Sequence, residues 1–195
     1  MSGKSKLALF DLDGTLFDTR RANWLSYKDA LAPFGVELDY DYFSTFCNGR
    51  HYTVFVPKLL RSAGNAEASI HEKTETVHQR KKELYGSFLN EVVLNDHLFC
   101  LIDCMRKKYH TALITTASRQ NCMELLDFYG RQSFFDLILT AEDVKNKKPD
   151  PEGFLKAMNH FGICGKDTLV FEDSNVGIEA AEKTGATVFV AKGFA

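Results

Sequence analysis

The sequence predicts an α/β protein built on a mostly parallel sheet, and three observations carry that prediction. Short apolar runs alternate with helical patterns through much of the chain. Several of those helical patterns have readable ends. One long stretch, from about Thr19 to Glu91, is helical without any convincing strand, which reads as an all-helical module inserted just after the first strand.

The strand candidates are Leu7–Asp11, Thr111–Thr116, Leu137–Thr140, Thr168–Glu172 and Thr187–Ala191. Ser118 can cap a helix that closes at Gly130, and Ser174 can start another that ends near Gly185. Asp150-Pro151 supplies an N-cap followed by proline at the first helical position, with Gly162 at the far end. Inside the helical stretch, Asn23–Leu31 and Tyr52–Leu60 look amphipathic. Ile70, Val77, Leu84 and Phe88 form a narrow apolar stripe on a long charged helix, and Gly35, Gly49 and Gly64 punctuate these segments.

The first strand poses a problem of charge. Its apolar run ends in Asp11 and Asp13, two carboxylates one residue apart, although buried strands shed charge and like charges raise each other's energy. In an open α/β sheet, sites form beyond the carboxyl ends of the strands. Thr116 and Ser118 lie at a second such end, and Glu172 and Asp173 at a third. Carboxylates from two strands aimed at one crevice call for a cation, and hard oxygen ligands suit magnesium.

Composition narrows the classes of function. The chain has 195 residues, 45% hydrophobic and 26% charged, with a formal net charge of −2. It lacks the basic excess of a general nucleic-acid binder. The apolar run after Lys4 and Lys6 is too short for a signal peptide, and no stretch is long enough to span a bilayer, so a cytoplasmic protein is expected. The five cysteines have no C-x-x-C spacing. Cys100 and Cys104 share a helix face and read as buried thiols rather than as a redox or metal site. His71 and His78 read as a solvated helix face.

Four separated motifs then come in order: "DLDGT" from Asp11 to Thr15, the hydroxyl of Thr116 in "LITTAS", Lys148 in "KKPDP", and "FEDSNVGIEAA" with Glu172 and Asp173. Together they resemble the haloacid dehalogenase superfamily, in its phosphatase and β-phosphoglucomutase-like branch with a helical cap. The resemblance implies a Rossmann-like core of about five strands in the order 3-2-1-4-5. Residues 1–18 and 92–195 would form that core and residues 19–91 the cap, a lid hinged near Phe17–Thr19 and Glu91–Leu94.

The resemblance also implies chemistry. Asp11 would attack phosphorus and carry an aspartyl-phosphate. Asp13 would protonate the leaving oxygen and then take a proton from water. Magnesium would sit on Asp11, the backbone carbonyl of Asp13 and Asp173, with Glu172 supporting it directly or through water. Thr116, the backbone amides of Ala117 and Ser118, and Lys148 would hold the phosphoryl oxygens. Dehalogenase members lack the second aspartate, and members that cleave carbon–phosphorus bonds carry alanine there, so Asp13 leaves phosphatases and phosphomutases. A non-catalytic phosphate-ligand binding protein is the alternative of another class.

The chain also departs from its mutase relatives. β-Phosphoglucomutases carry a histidine after the first motif, and a lysine and an arginine around a cap glycine. The matching places here hold Asn23, Asn48 and Tyr52, with Gly49 retained. That favours hydrolysis over phosphoryl return. Arg50, next to Gly49, is a candidate substrate contact. The expected partner is a small phosphorylated molecule, with no nucleic acid and no membrane, and the chain is expected to be a monomer or weak homodimer. It stops at Ala195 directly after "VFVAKGF", which predicts a small sheet with an exposed edge that a partner could cover.

Overall fold

The computed structural model describes residues 4–192 and 194, so Ala195 lies outside the described residues. β1 (Lys6–Phe10) leads through a short loop to the two-residue β2 (Phe17–Asp18). Four helices follow: α1 (Arg20–Leu31), α2 (Tyr40–Tyr42) continued by a π-helical turn over Phe43–Cys47, α3 (Tyr52–Ser62) and α4 (Ile70–Tyr85). The chain returns through β3 (Val93–Leu94), α5 (Asp96–Met105), β4 (Tyr109–Ile114) and α6 (Arg119–Phe128). It ends with β5 (Leu137–Leu139), α7 (Glu152–Phe161), β6 (Thr168–Glu172), α8 (Asn175–Glu182) and β7 (Thr187–Val190).

Five strands form one parallel sheet in the order β5-β4-β1-β6-β7, which is the expected 3-2-1-4-5 once β2 and β3 are set aside. β1 lies in the middle. Leu7 and Leu9 face a core of Ala112, Ile114, Phe154, Met158, Val170 and Ala180. Phe10 points to the opposite face and stacks on Phe171 at 4.7 Å. Burial on both faces is why this strand reads as an unbroken apolar run. β7 is an edge strand, with Phe189 and Val190 exposed.

The residues divide into two compact units, Met1–Asp18 with Val93–Ala195, and Thr19–Val92. The second is helical and has its own core, in which Tyr27, Phe43, Phe55, Val56, Leu60 and Val77 meet. The antiparallel pairing of β2 with β3 had no signature in the sequence, because two residues a side are too short for a periodic pattern.

Several sequence expectations need correction. β1 and β4 stop at Phe10 and Ile114, so Asp11, Thr115 and Thr116 lie just past the strands rather than in them. β5 and β7 likewise stop one residue early, at Leu139 and Val190. α7 starts at Glu152, with Asp150 Oδ1 accepting the Glu152 N–H at 2.9 Å. Phe88 leaves the α4 stripe, because α4 ends at Tyr85 and Phe88 has non-helical angles.

The thiols differ too: Cys47 and Cys122 are buried, whereas Cys100, Cys104 and Cys164 are exposed. α5 buries Phe99 and Ile102, which rotates Cys100 and Cys104 toward solvent. His71 is exposed as expected, but His78 is half-buried and stacks on Tyr52 with the rings 3.7 Å apart and 3° from parallel. No helix among the described residues is long and apolar enough to cross a membrane.

Candidate active site

Asp11 is held at the carboxyl end of the central strand, where its N–H donates to the Phe171 carbonyl at 3.0 Å and its residue is only 7% exposed. The chain then folds back on itself. Leu16 N–H and Phe17 N–H both donate to the Leu12 carbonyl at 3.0 Å, and Gly14 N–H donates to Phe17 O at 2.7 Å. Gly14 has φ +90°, and a Cβ there would fall 2.2 Å from Asp173 Oδ2, so turn and close approach both demand glycine.

β6 delivers Glu172 beside Asp11. Glu172 is fully buried, and every oxygen has partners. Oε2 accepts from Asp173 N–H and Ser174 N–H at 2.9 Å and from the Ser174 hydroxyl at 3.0 Å. Oε1 accepts from Lys148 Nζ at 2.6 Å. Ser174 also caps α8, accepting from Gly177 N–H at 3.1 Å.

Lys148 joins the strands. Its ammonium donates to Asp11 Oδ1 at 2.5 Å, to Glu172 Oε1 at 2.6 Å and to the Ile114 carbonyl at 3.0 Å, which uses all three of its donors. Burial works to lower the Lys148 pKa, but the attraction of Asp11 and Glu172 outweighs it and holds the ammonium above its ordinary value. Asp11 shows the opposite balance. Burial pushes its carboxyl up to about 8 against the pull of Lys148, with Glu172 and Asp13 adding to the rise. Burial and then the Glu172 charge also raise Asp173, while the Thr15 hydroxyl, donating to Asp173 Oδ1 at 3.1 Å, pulls it down.

This is a site with surplus negative charge. Oxygens of Asp11, Glu172 and Asp173 lie within 4.8 Å of one another, and one ammonium answers three carboxylates. A hard divalent cation such as magnesium fits that donor set. Asp11 and Asp173 are the carboxylates best placed to hold one, since the Glu172 oxygens are already engaged by the protein. Asp13 stays close enough to Asp11 to raise its pKa.

Thr116 follows β4 and is exposed, whereas Thr115 is buried and its Oγ1 accepts from Ala117 N–H at 3.0 Å. Ser118 caps α6, accepting from Asn121 N–H at 3.3 Å. Arg50 belongs to the helical unit, exposed in the turn that follows Gly49 at φ +73°. Thr15 and Asn95 were missed as site residues by sequence reasoning. Thr15 carried a signal, as the last residue of "DLDGT"; Asn95 was not singled out, and the structure places it as the cap of α5, accepting from Leu98 N–H at 3.2 Å.

Comparison with known proteins agrees with this architecture. The family model for haloacid dehalogenase-like hydrolases matches residues 8–191. The phosphorylated carbohydrates phosphatase of Thermotoga maritima is 27% identical over 184 residues, covering 91% of this chain and 80% of that protein. Fructose-1-phosphate phosphatase YqaB of Escherichia coli is 27% identical over 177 residues, covering 91% of each. The structure of CbbY from Rhodobacter sphaeroides in complex with phosphate superposes with a TM-score of 0.75 at 24% identity, covering 97% of this chain and 87% of that one. With nearly its whole length matched by the family model and by named phosphatases, the chain belongs to the haloacid dehalogenase-like hydrolases.

Proposed function

We propose that this protein is a magnesium-dependent phosphatase that hydrolyses a small phosphomonoester through an aspartyl-phosphate on Asp11. The observation that carries the reading is the Lys148 ammonium shared by Asp11 and Glu172 at the ends of adjacent strands. In the first step an Asp11 oxygen bonds to phosphorus, the ester P–O bond breaks, and Asp13 gives its proton to the departing oxygen. In the second step Asp13 takes a proton from water, the water oxygen bonds to phosphorus, and the Asp11–phosphorus bond breaks to release inorganic phosphate. Lys148 holds Asp11 in place and, with Thr116 and the Ser118 amide, faces the charge that spreads over the phosphoryl oxygens, whereas the Ala117 N–H is already given to Thr115 Oγ1. Mg2+, which Asp11, Asp173 and the Asp13 carbonyl would hold, supplies the charge that offsets nucleophile and phosphate repulsion.

The two named relatives act on phosphorylated carbohydrates and on fructose 1-phosphate, which makes sugar phosphates the first substrates to test. The helical unit is proposed to select among them, with Arg50 as its charged contact. Arg50→Ala should then change relative rates across sugar phosphates, phosphoglycolate and nucleoside monophosphates while leaving p-nitrophenyl phosphate turnover nearly unchanged.

The deciding experiment is release of nitrophenolate from p-nitrophenyl phosphate with Mg2+ and with EDTA, in wild type and Asp11→Asn. Turnover should need the metal and fall by at least about a thousandfold in the variant. Turnover that persists in EDTA, or near-wild-type rates in Asp11→Asn, would overturn the mechanism. Phosphate binding with no turnover of any ester would identify a binding protein instead.

A further inference from the structure

We infer that Asn95 is a positioning residue for the Asp173 carboxylate, acting through the loop that joins Asp11 to β2; this deepens the phosphatase reading and rests on its metal site. Asn95 follows β3, where the chain re-enters the α/β unit; its carbonyl accepts from Leu98 and Phe99 N–H at 3.1 Å as α5 begins, and three further hydrogen bonds tie α5 to the loop. Its Oδ1 accepts from Leu98 N–H at 3.2 Å and caps α5. Its Nδ2 donates to the Thr15 carbonyl at 3.1 Å. Its backbone N–H donates to the Leu16 carbonyl at 2.9 Å. Two consecutive carbonyls of the loop are therefore pinned by one residue.

The residue so pinned is the one that orients Asp173. Thr15 is fully buried, and its hydroxyl donates to Asp173 Oδ1 at 3.1 Å. The other oxygen, Oδ2, is packed against Gly14, where a Cβ would lie only 2.2 Å away. The loop backbone thus sets which oxygen of Asp173 is tied to protein and how the carboxylate turns. Fixing Thr15 at its carbonyl fixes the origin from which its hydroxyl reaches. A cap alone needs only the Asn95 Oδ1, and serine or threonine would serve nearly as well. The amide Nδ2 is what serves the site, and only a side-chain amide supplies donor and acceptor from one planar group.

The test uses the full chain and Mn2+ as the probe, read as loss of the free-ion electron paramagnetic resonance signal. Asn95→Ser keeps a capping oxygen and drops the amide, so its thermal midpoint should stay within about 3 °C of wild type. Its Mn2+ dissociation constant should rise about fivefold. Thr15→Val should weaken binding as well, and adding Asn95→Ser to it should weaken binding no further, because both act on one path. If the serine variant does not fold, Asn95→Thr is read in the same way. Wild-type Mn2+ affinity in the folded serine or threonine variant, or penalties that add in the double variant, would overturn the positioning role while leaving the phosphatase reading intact. Absence of Mn2+ binding by the wild-type chain would overturn the metal site and this inference together.

Discussion

Lys148 and Asp11, 137 residues apart in sequence, meet at 2.5 Å with their side chains 8% and 10% exposed. The same ammonium reaches Glu172 at 2.6 Å. Removing it leaves two carboxylates facing each other in a poorly solvated place. Lys148→Met should therefore cost about 3 kcal/mol of stability at neutral pH, the cost of orphaning a buried charge. The pH dependence has a definite sign. Without the ammonium, which pulls the Asp11 carboxyl down, Asp11 rises further above its ordinary value, so its contribution to stability is retained in acid and lost as pH rises. Urea unfolding at pH 5 and pH 8 checks this. A variant no less stable than wild type at pH 8 would show that the pair is not energetically linked to the fold.

Gly177 makes the second prediction. A Cβ at this position in the first turn of α8 would sit 1.7 Å from Glu172 Oε1 and 1.9 Å from its Cδ. Alanine is better in a helix by about 1 kcal/mol, so propensity alone predicts that Gly177→Ala stabilises. Sterics decide otherwise. Glu172 is pinned by Lys148, two backbone N–H groups and a hydroxyl, and cannot swing away without breaking them. The variant should lose about 1–3 kcal/mol and most of its phosphatase turnover. A rise in thermal midpoint with full turnover would refute the close packing.

What the sequence disclosed about the site follows from locality. A buried run striking two carboxylates is a local anomaly, and a serine before a helical pattern is a local cap, so Asp11, Asp13, Ser118 and Ser174 were legible, whereas the strand order came only from the family resemblance. The partners of Lys148 were not legible, because they come from the ends of β1, β4 and β6, which only tertiary folding brings together, although the motif had already singled out Lys148 over Lys147. The outward turn of Cys100 and Cys104 depended on which face of α5 found Phe134 and Phe135 as neighbours for Phe99. The stack of His78 on Tyr52 depended on how α3 packs against α4. Asn95 was not legible at all, since a single-chain pattern carries no trace of a hydrogen bond made 80 residues away.

His78 gives a pH prediction for the helical unit. Burial first, then the charges of Lys81 and Lys82, lower its pKa from 6.5 to about 4; His51 adds to that effect and Glu75 opposes it. Its Nδ1 is buried without a hydrogen-bond partner. Between pH 6.5 and 4 the unfolded chain therefore binds a proton that the folded chain refuses, and stability falls as pH falls through that window. His78→Phe keeps a ring against Tyr52 and removes the proton. Its thermal midpoint should decline less than that of wild type between pH 7 and pH 4.5. Parallel curves for the two proteins would mean that His78 titrates normally.

The last prediction separates two roles for Asp13. Its carboxyl lies near enough to Asp11 to raise that group's pKa, yet it is absent from the cluster formed by Asp11, Glu172 and Asp173. A group held beside the proposed nucleophile but outside the three-carboxylate cluster is suited to proton transfer. Protonation matters most when the leaving oxygen is a strong base. A sugar alkoxide cannot depart without a proton, whereas nitrophenolate departs with little help. Asp13→Asn should therefore slow hydrolysis of a sugar phosphate by about a hundredfold or more, and that of p-nitrophenyl phosphate by much less. The ratio of the two rates is the diagnostic, because a loss of metal or a general loosening of the site lowers both alike. Equal losses on the two substrates would assign Asp13 to holding the loop and the cation, and would leave the proton donor to be found elsewhere.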